Sequence, residues 1–376
     1  MKLSCTQENL NQGVFIVSHI ASKNTNLPIL SNILLQAKDG NLKLSTTNLE
    51  IGVSCNIRGK IEEEGDFTVQ SKIFADYINL LPKEKVDLEL KDQNLDIHCN
   101  NYQTKIKGVP AVDFPLIPEI KKDNPIICNI SNLKQALGQV VFAVSNSNTR
   151  PEISGVYFKI NNEELILAAT DSYRLAEKKI KLKQGINTEN SIIVPAKTIQ
   201  ELLRILGGLK RGEGEIDEDE TIEIYLGENQ ILFIYNNVEL ISRLIEGQYP
   251  DYGQIIPKEF KTDALVRISD LSNAVKSASL FARSGIYDVT VKLHPEAKQI
   301  EVSSVNNQLG ENKTNIISNI TGDENSTVLN YRYLLDGLSN LGSEEAKISL
   351  IDSESPCLLS PANDESYLYI IMPIKQ

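Results

Sequence analysis

Two hydrophobic rhythms run along the chain. Stretches such as NILLQAKDGNLKLSTT (32–47) and VTVKLHPEAKQIEVSS (289–304) alternate apolar and polar residues, the period-two signature of strands with one buried face. Asp39-Gly40 falls between two such runs and predicts a tight hairpin, because both residues tolerate positive φ. Elsewhere the apolar positions recur at helical spacing. Leu133, Leu137, Val140, Val141 and Val144 form one stripe; Ile199, Leu202, Leu203 and Leu206 form a second; Leu271, Val275, Ala278 and Ala282 form a third. The pattern predicts helices over 7–23, 71–83, 131–145, 196–211, 270–283 and 331–341.

These rhythms repeat. Setting each residue against the one 123 positions later aligns Cys5 with Cys128, Leu10 with Leu133, Pro28 with Pro151, Leu44 with Leu167 and Thr47 with Thr170. FTVQSKIFADYINLL (67–81), IIVPAKTIQELLRIL (192–206) and TVLNYRYLLDGLSNL (327–341) then align as a strand running into a helix, and QIEVSSVNNQLG (299–310) supplies a fainter third hairpin. The exits VDFPLIP (112–118) and QYPDYGQIIP (248–257) repeat as well, and the last copy stops at IIMPIKQ. The expected fold is α+β, with three repeated domains at 1–123, 124–257 and 258–376, each packing two helices on an antiparallel sheet. LILAATDSYRLA (165–176) ends a strand in a polar turn, and Thr170-Asp171 fits both a turn closed by local hydrogen bonds and part of a binding surface.

Composition narrows the chemistry. Over 376 residues, 41% hydrophobic and 23% charged content is that of a globular protein, and no apolar run reaches the ~18 residues of a membrane span. The start lacks the apolar core of a signal peptide, and the five scattered cysteines without a CxxC pair suit a reduced, cytoplasmic protein. Three widely separated histidines, with no HExxH, GxSxG or GxxxxGK[ST], predict neither a metal nor a cofactor nor a catalytic centre. GGLKRGEGEIDEDE (207–220) lacks the ligand spacing of a calcium loop and reads as a solvated insertion.

A net charge of −12 argues against a nucleic-acid partner, but it is unevenly spread. The six expected helices carry eleven bases and five acids, leaving 27 bases and 45 acids elsewhere. Such a layer would draw a polyanion to one surface and repel it from others, through sequence-independent phosphate contacts.

The repeats, ATDSYRLA, QYPDY, LPILSNILL (27–35), VPAVDFP (109–115) and the terminal IIMPIKQ together resemble the bacterial DNA sliding clamps, the beta subunits of DNA polymerase III. The resemblance implies a head-to-tail homodimer ring with helices inside and sheets outside. Such a ring encircles double-stranded DNA, slides along it and tethers replicative and other polymerases, the clamp loader and repair proteins. Geometry agrees. Twelve helices spaced about 8–10 Å apart leave roughly 28 Å clear, enough for a duplex about 20 Å across, whereas six leave only about 9 Å.

The charge of the expected helices points to phosphate contact by Lys23, Lys72, Lys134, Lys197, Arg204, Lys276, Arg283 and Arg332, and the resemblance adds Arg150 at the entry to the second domain. The resemblance assigns a peptide-binding cleft to Ile153, Thr170, Tyr173, Arg174, Leu175, Pro250, Ile255, Asn330, Tyr333, Ile371, Met372, Pro373 and Ile374. Ser172 stands where the family usually has glycine, Tyr173 where histidine is frequent, Gln254 where arginine is frequent, and Asn24 where an arginine is expected. Two rivals remain at this stage. One is an enzyme using Asp171 and Asp251; the other is a peptide-binding scaffold that ignores DNA.

Overall fold

The computed structural model describes residues 1–21, 27–147, 149–187, 189–208 and 220–375, which form six α-helices among antiparallel strands. Asp39 (φ 49°) and Gly40 (φ 76°) close the hairpin between the strands Asn32–Lys38 and Asn41–Thr47, as their sequence predicts. The helices are α1 (Gln7–Ser18), α2 (Ser71–Leu80), α3 (Ile130–Val141), α4 (Ala196–Gly208), α5 (Ile268–Ser279) and α6 (Tyr331–Asn340).

Most of them stop earlier than the hydrophobic spacing suggests. α2 ends because Leu81 precedes Pro82 and is driven to an extended conformation, ψ 149°. α5 gives way to turns that include Gly285 (φ 85°), and α6 stops just before Gly342 (φ 71°), a left-handed residue suited to a helix terminus. The buried face of α4 differs by one position from expectation. Ile199, Leu202, Ile205 and Leu206 are buried, while Leu203 is half-exposed.

Contacts divide the chain into two compact units. The first comprises Met1–Ser131, Lys183–Ile186 and Gln200–Leu244 and is built on one thirteen-stranded sheet. Within it the strand Ile51–Arg58 from the first repeat pairs with Val238–Arg243 from the second, with Val53 opposite Leu240. α1 packs on α2 and on the strand Ile51–Arg58, and its Leu10, Val14 and Val17 are buried. The second unit comprises Asn132–Leu182, Asn187–Ile199 and Ile245–Gln376, with a nine-stranded and a four-stranded sheet. Here Arg174–Lys181 from the second repeat pairs with Tyr367–Ile371 from the third, with Ala176 opposite Tyr369 and Leu175 opposite Ile370.

The two pairings are one joint made twice, since Ile51–Arg58 and Arg174–Lys181 are equivalent at the 123-residue spacing. The corresponding strands left over are Gly310–Ile317 and Tyr102–Val109. The first is the outermost strand of the four-stranded sheet, and the second pairs on its other edge only through Gly108 and Val109.

Candidate functional site

Thr170 and Asp171 close their turn themselves. The Thr170 hydroxyl donates to the Arg174 carbonyl (2.6 Å) and accepts from Ser172 N–H (3.0 Å); Asp171 Oδ1 accepts from the N–H groups of Tyr173 and Arg174 (3.0 and 3.1 Å). Thr47 and Asn48 make the same four bonds in the first repeat. The turn requires a left-handed third residue, Leu49 (φ 76°) or Ser172 (φ 79°), a conformation that glycine adopts most readily. Ser172 also accepts a hydrogen bond from Arg150 Nη1 (3.0 Å) through its hydroxyl.

What distinguishes the middle copy is the next residue, Arg174 where the first copy has Ile51. Its guanidinium donates to Asp171 (3.0 Å), Asp336 (2.6 Å) and the Phe142 carbonyl (2.9 Å), and lies 4.6 Å from the Tyr333 ring centroid. Burial alone would lower its pKa. Tyr369, Asp336 and Asp171 outweigh that and hold it above the usual arginine value. Arg174 thus ties the turn to α6 and to the end of α3.

The opposite face of the same strand is apolar. Leu175, Ala168 and Ile370 form a buried cluster against Tyr157, Tyr252 and Ile256, and Ile153 packs with Ile193 and Tyr249. Ile370 shares this face with Leu175; Ile371 pairs across from Arg174 and, by strand alternation, turns away from it. The backbone brings the terminal segment in, with Met372 N–H donating to the Tyr173 carbonyl and Ile374 N–H to Val328 (2.9 and 2.8 Å). Pro250, Met372, Pro373 and Ile374 are half-buried, whereas Tyr173 and Ile255 are exposed. Asn330 is occupied as the N-cap of α6, accepting from Arg332 N–H.

Sequence reasoning missed Tyr157, Tyr249, Tyr252 and Ile370; the alternation of the strands was the signal that could have found the last. Asp251 caps its own short turn by accepting from Gly253 N–H and binds the Gln254 side chain. Both carboxylates of the enzymatic reading are therefore spent on structure.

The basic positions separate into two groups. Lys72, Lys197 and Lys276 are exposed and Lys134 is half-exposed, and none has a carboxylate partner among the described residues. Arg204 is different and its assignment to phosphate needs correction. Its fork is filled by Glu201 (2.6 and 3.0 Å) and by the carbonyls of Phe15 and Ile16 (3.1 and 2.6 Å), while His19 holds the same buried carboxylate at 2.7 Å. Arg283 lies beyond the end of α5, doubly bonded to Asp288 (2.9 and 2.6 Å). Arg150 pairs with Glu152, and Arg332 stacks 3.7 Å from the centre of the Tyr287 ring.

Lys23, Asn24, Lys210, Arg211, residues 212–219 and Gln376 lie outside the described residues. Within the observed helices stand Lys72, Lys134, Lys197, Arg204, Lys276 and Arg332 against Glu8, Asp76, Glu201, Asp270 and Asp336, a net charge of only +1. The expected excess depended on residues past the helix ends, such as Lys83 and Arg283. Among the described residues the helices offer scattered lysines and not a uniformly cationic layer.

Other chemistry is quiet. All five cysteines are buried free thiols, and burial pushes Cys5, Cys55, Cys128 and Cys357 up to about 12, far from forming a thiolate. Among the described residues no helix is long and apolar enough to cross a membrane.

Comparison with known proteins agrees with this geometry along the whole chain. Three family models match in order: the N-terminal domain of the DNA polymerase III beta subunit at residues 1–118, the central domain at 128–251 and the C-terminal domain at 253–375. The beta sliding clamp of Bacillus subtilis is 31% identical over 385 residues, covering all of both chains, and that of Staphylococcus epidermidis is 31% identical over 364 residues, covering 94% of each. The crystal structure of the Bacillus subtilis DNA polymerase sliding clamp superposes with a TM-score of 0.92 at 31% identity, covering 100% of this chain and 99% of that one.

Proposed function

The chain belongs to the DNA polymerase III beta subunit family, the sliding clamps, and we propose that two copies close head to tail into a ring around duplex DNA. As a member it is a DNA sliding clamp, a non-catalytic processivity factor of replication. One observation carries the proposed ring. A strand joint made twice within the chain leaves one complementary pair of strands over, Tyr102–Val109 and Gly310–Ile317. Satisfying that pair between copies gives a heterologous contact, and a second such contact closes a dimer of six domains. Exposed apolar residues on these strands, Tyr102, Val109 and Ile317, favour burial there.

The three domains in this reading are 1–123, 124–257 and 258–376. Lys72, Lys134, Lys197 and Lys276 supply weak phosphate contacts that permit sliding, helped by Lys23, Arg150, Arg283 and Arg332. The face containing Leu175, Pro250, Ile255 and Ile370, with Thr170, Tyr173, Tyr333 and the segment 371–374 beside it, takes short apolar peptides from polymerases, the clamp loader and repair proteins. The setting is cytoplasmic.

The test is topological. After loading onto a nicked DNA circle, the protein should survive a high-salt wash and leave once the circle is cut. Equal retention on closed and cut DNA would reduce the binding to ordinary adhesion and reject the ring.

A further inference from the structure

Where the first two repeats join, a cavity of about 550 Å³ opens between α1, the end of the strand Ile51–Arg58 and the hairpin turn at Asn236-Asn237. The second repeat fills the corresponding corner from within. There Lys178, which stands where the first repeat has Cys55, reaches Asp364 (2.6 Å) and Ser366 (2.7 Å). Cys55 is too short to cross such a gap, and the turn beside it carries amides and no carboxylate. Asn237 braces the wall, its side chain donating to the Asn56 carbonyl (2.6 Å).

Five further polar side chains line the space: Asn9, Gln12, Asn56, Arg58 and Asn236. Among the described residues none of these side chains makes a hydrogen bond or an ion pair, and all are open to solvent in whole or in part. Arg174, Arg204 and Arg283 are each taken up by a carboxylate, whereas the exposed Arg58 is not. Asn56 and Arg58 share one face of their strand, about 7 Å apart along it, and Asn9 and Gln12 share a face of α1. Among the described residues no carboxylate lines the cavity. In a chain of net charge −12 it is a locally cationic recess.

A guanidinium fork matches phosphate oxygens two at a time. Carboxamides both donate and accept, as the edge of a nucleobase requires. The volume lies within the range of pockets that enclose small organic ligands. We propose that this recess binds a nucleotide, with Arg58 on the phosphate and the carboxamides on the base. The same chemistry is offered by a free nucleotide and by the unpaired end of a DNA strand. The recess lies within the first unit and shares no residue with the peptide cleft, so it stands independently of that reading.

The test is calorimetric titration of the full-length protein with dAMP, deoxyadenosine, inorganic phosphate and a 5′-phosphorylated oligo(dA). The wild type should bind dAMP roughly tenfold more tightly than deoxyadenosine or phosphate. Arg58→Gln should bring dAMP down to the affinity of deoxyadenosine, and Arg58→Lys should recover part of the loss. Gln12→Ala should weaken dAMP and deoxyadenosine alike, roughly threefold, and leave phosphate unchanged. The replaced side chains are unpaired, so all three variants should melt at the wild-type temperature. Tighter binding of dAMP than of the oligonucleotide would make the occupant a free nucleotide; tighter binding of the oligonucleotide, lost in Arg58→Gln, would make it a strand end. No binding of dAMP by the wild type, an unchanged dAMP affinity in Arg58→Gln, or phosphate bound as tightly as dAMP would each overturn the proposal.

Discussion

At the residue scale, the arginines shift in meaning most between sequence and structure. Arg174 reads from the sequence only as a match within a motif. Its partners Phe142 and Asp336 lie 32 and 162 positions away, beyond the reach of any local pattern. Arg174→Ala should destabilise the second unit by about 3 kcal/mol, measured by denaturant unfolding, because it leaves the partly buried Asp171 and Phe142 carbonyl without their charged donor. Arg204→Ala should cost the first unit a similar ~3 kcal/mol by leaving Glu201 underpaired, whereas Lys197→Ala should change stability by less than about 0.5 kcal/mol and weaken only DNA contact. Lys178 gives a pH-dependent case. Burial would raise the Asp364 pKa, but hydrogen bonds from Lys178 and Ser366 outweigh it and leave the carboxyl below its ordinary 3.8. A depressed carboxyl stabilises the fold above its unfolded pKa and loses that contribution as pH falls through its folded value. Acid unfolding followed by circular dichroism should therefore begin at higher pH in Lys178→Met than in the wild type.

At the scale of elements, the strands and the hairpin at Asp39-Gly40 were legible because alternation and turn chemistry agree there. Helix existence was legible too, but helix ends were not. An apolar stripe continues past the last turn whenever the following loop also buries its side chains, as Leu81 does beyond α2. Pro82 was the available stop signal. Part of the expected charge excess went with those ends, since Lys83 and Arg283 lie beyond α2 and α5. The Thr-Asx turn was visible as a repeat, and the structure explains why it repeats: it closes a hairpin in both copies. Thr47→Val and Thr170→Val should consequently cost similar stability, about 1–2 kcal/mol each, while only the second weakens peptide binding in a titration.

On the scale of the whole molecule, the same joint sets the register expected between copies. Carrying the Val53–Leu240 and Ala176–Tyr369 alignment into the remaining pair sets Glu311 opposite Lys105 of the next copy. Lys105→Glu or Glu311→Lys alone should weaken dimerisation roughly fivefold in sedimentation equilibrium, and the double exchange should restore it. Intact dimers in both single variants and the double one would mean that the register is different. Because sheets run through the borders between repeats, no repeat owns a complete set of neighbours. Freed from the chain, the middle copy would carry a socket and a plug on one small body, each fitting the other's twin. Such a fragment is a monomer in name only. It would string itself into filaments wherever the turn per step failed to bring the last member back to the first.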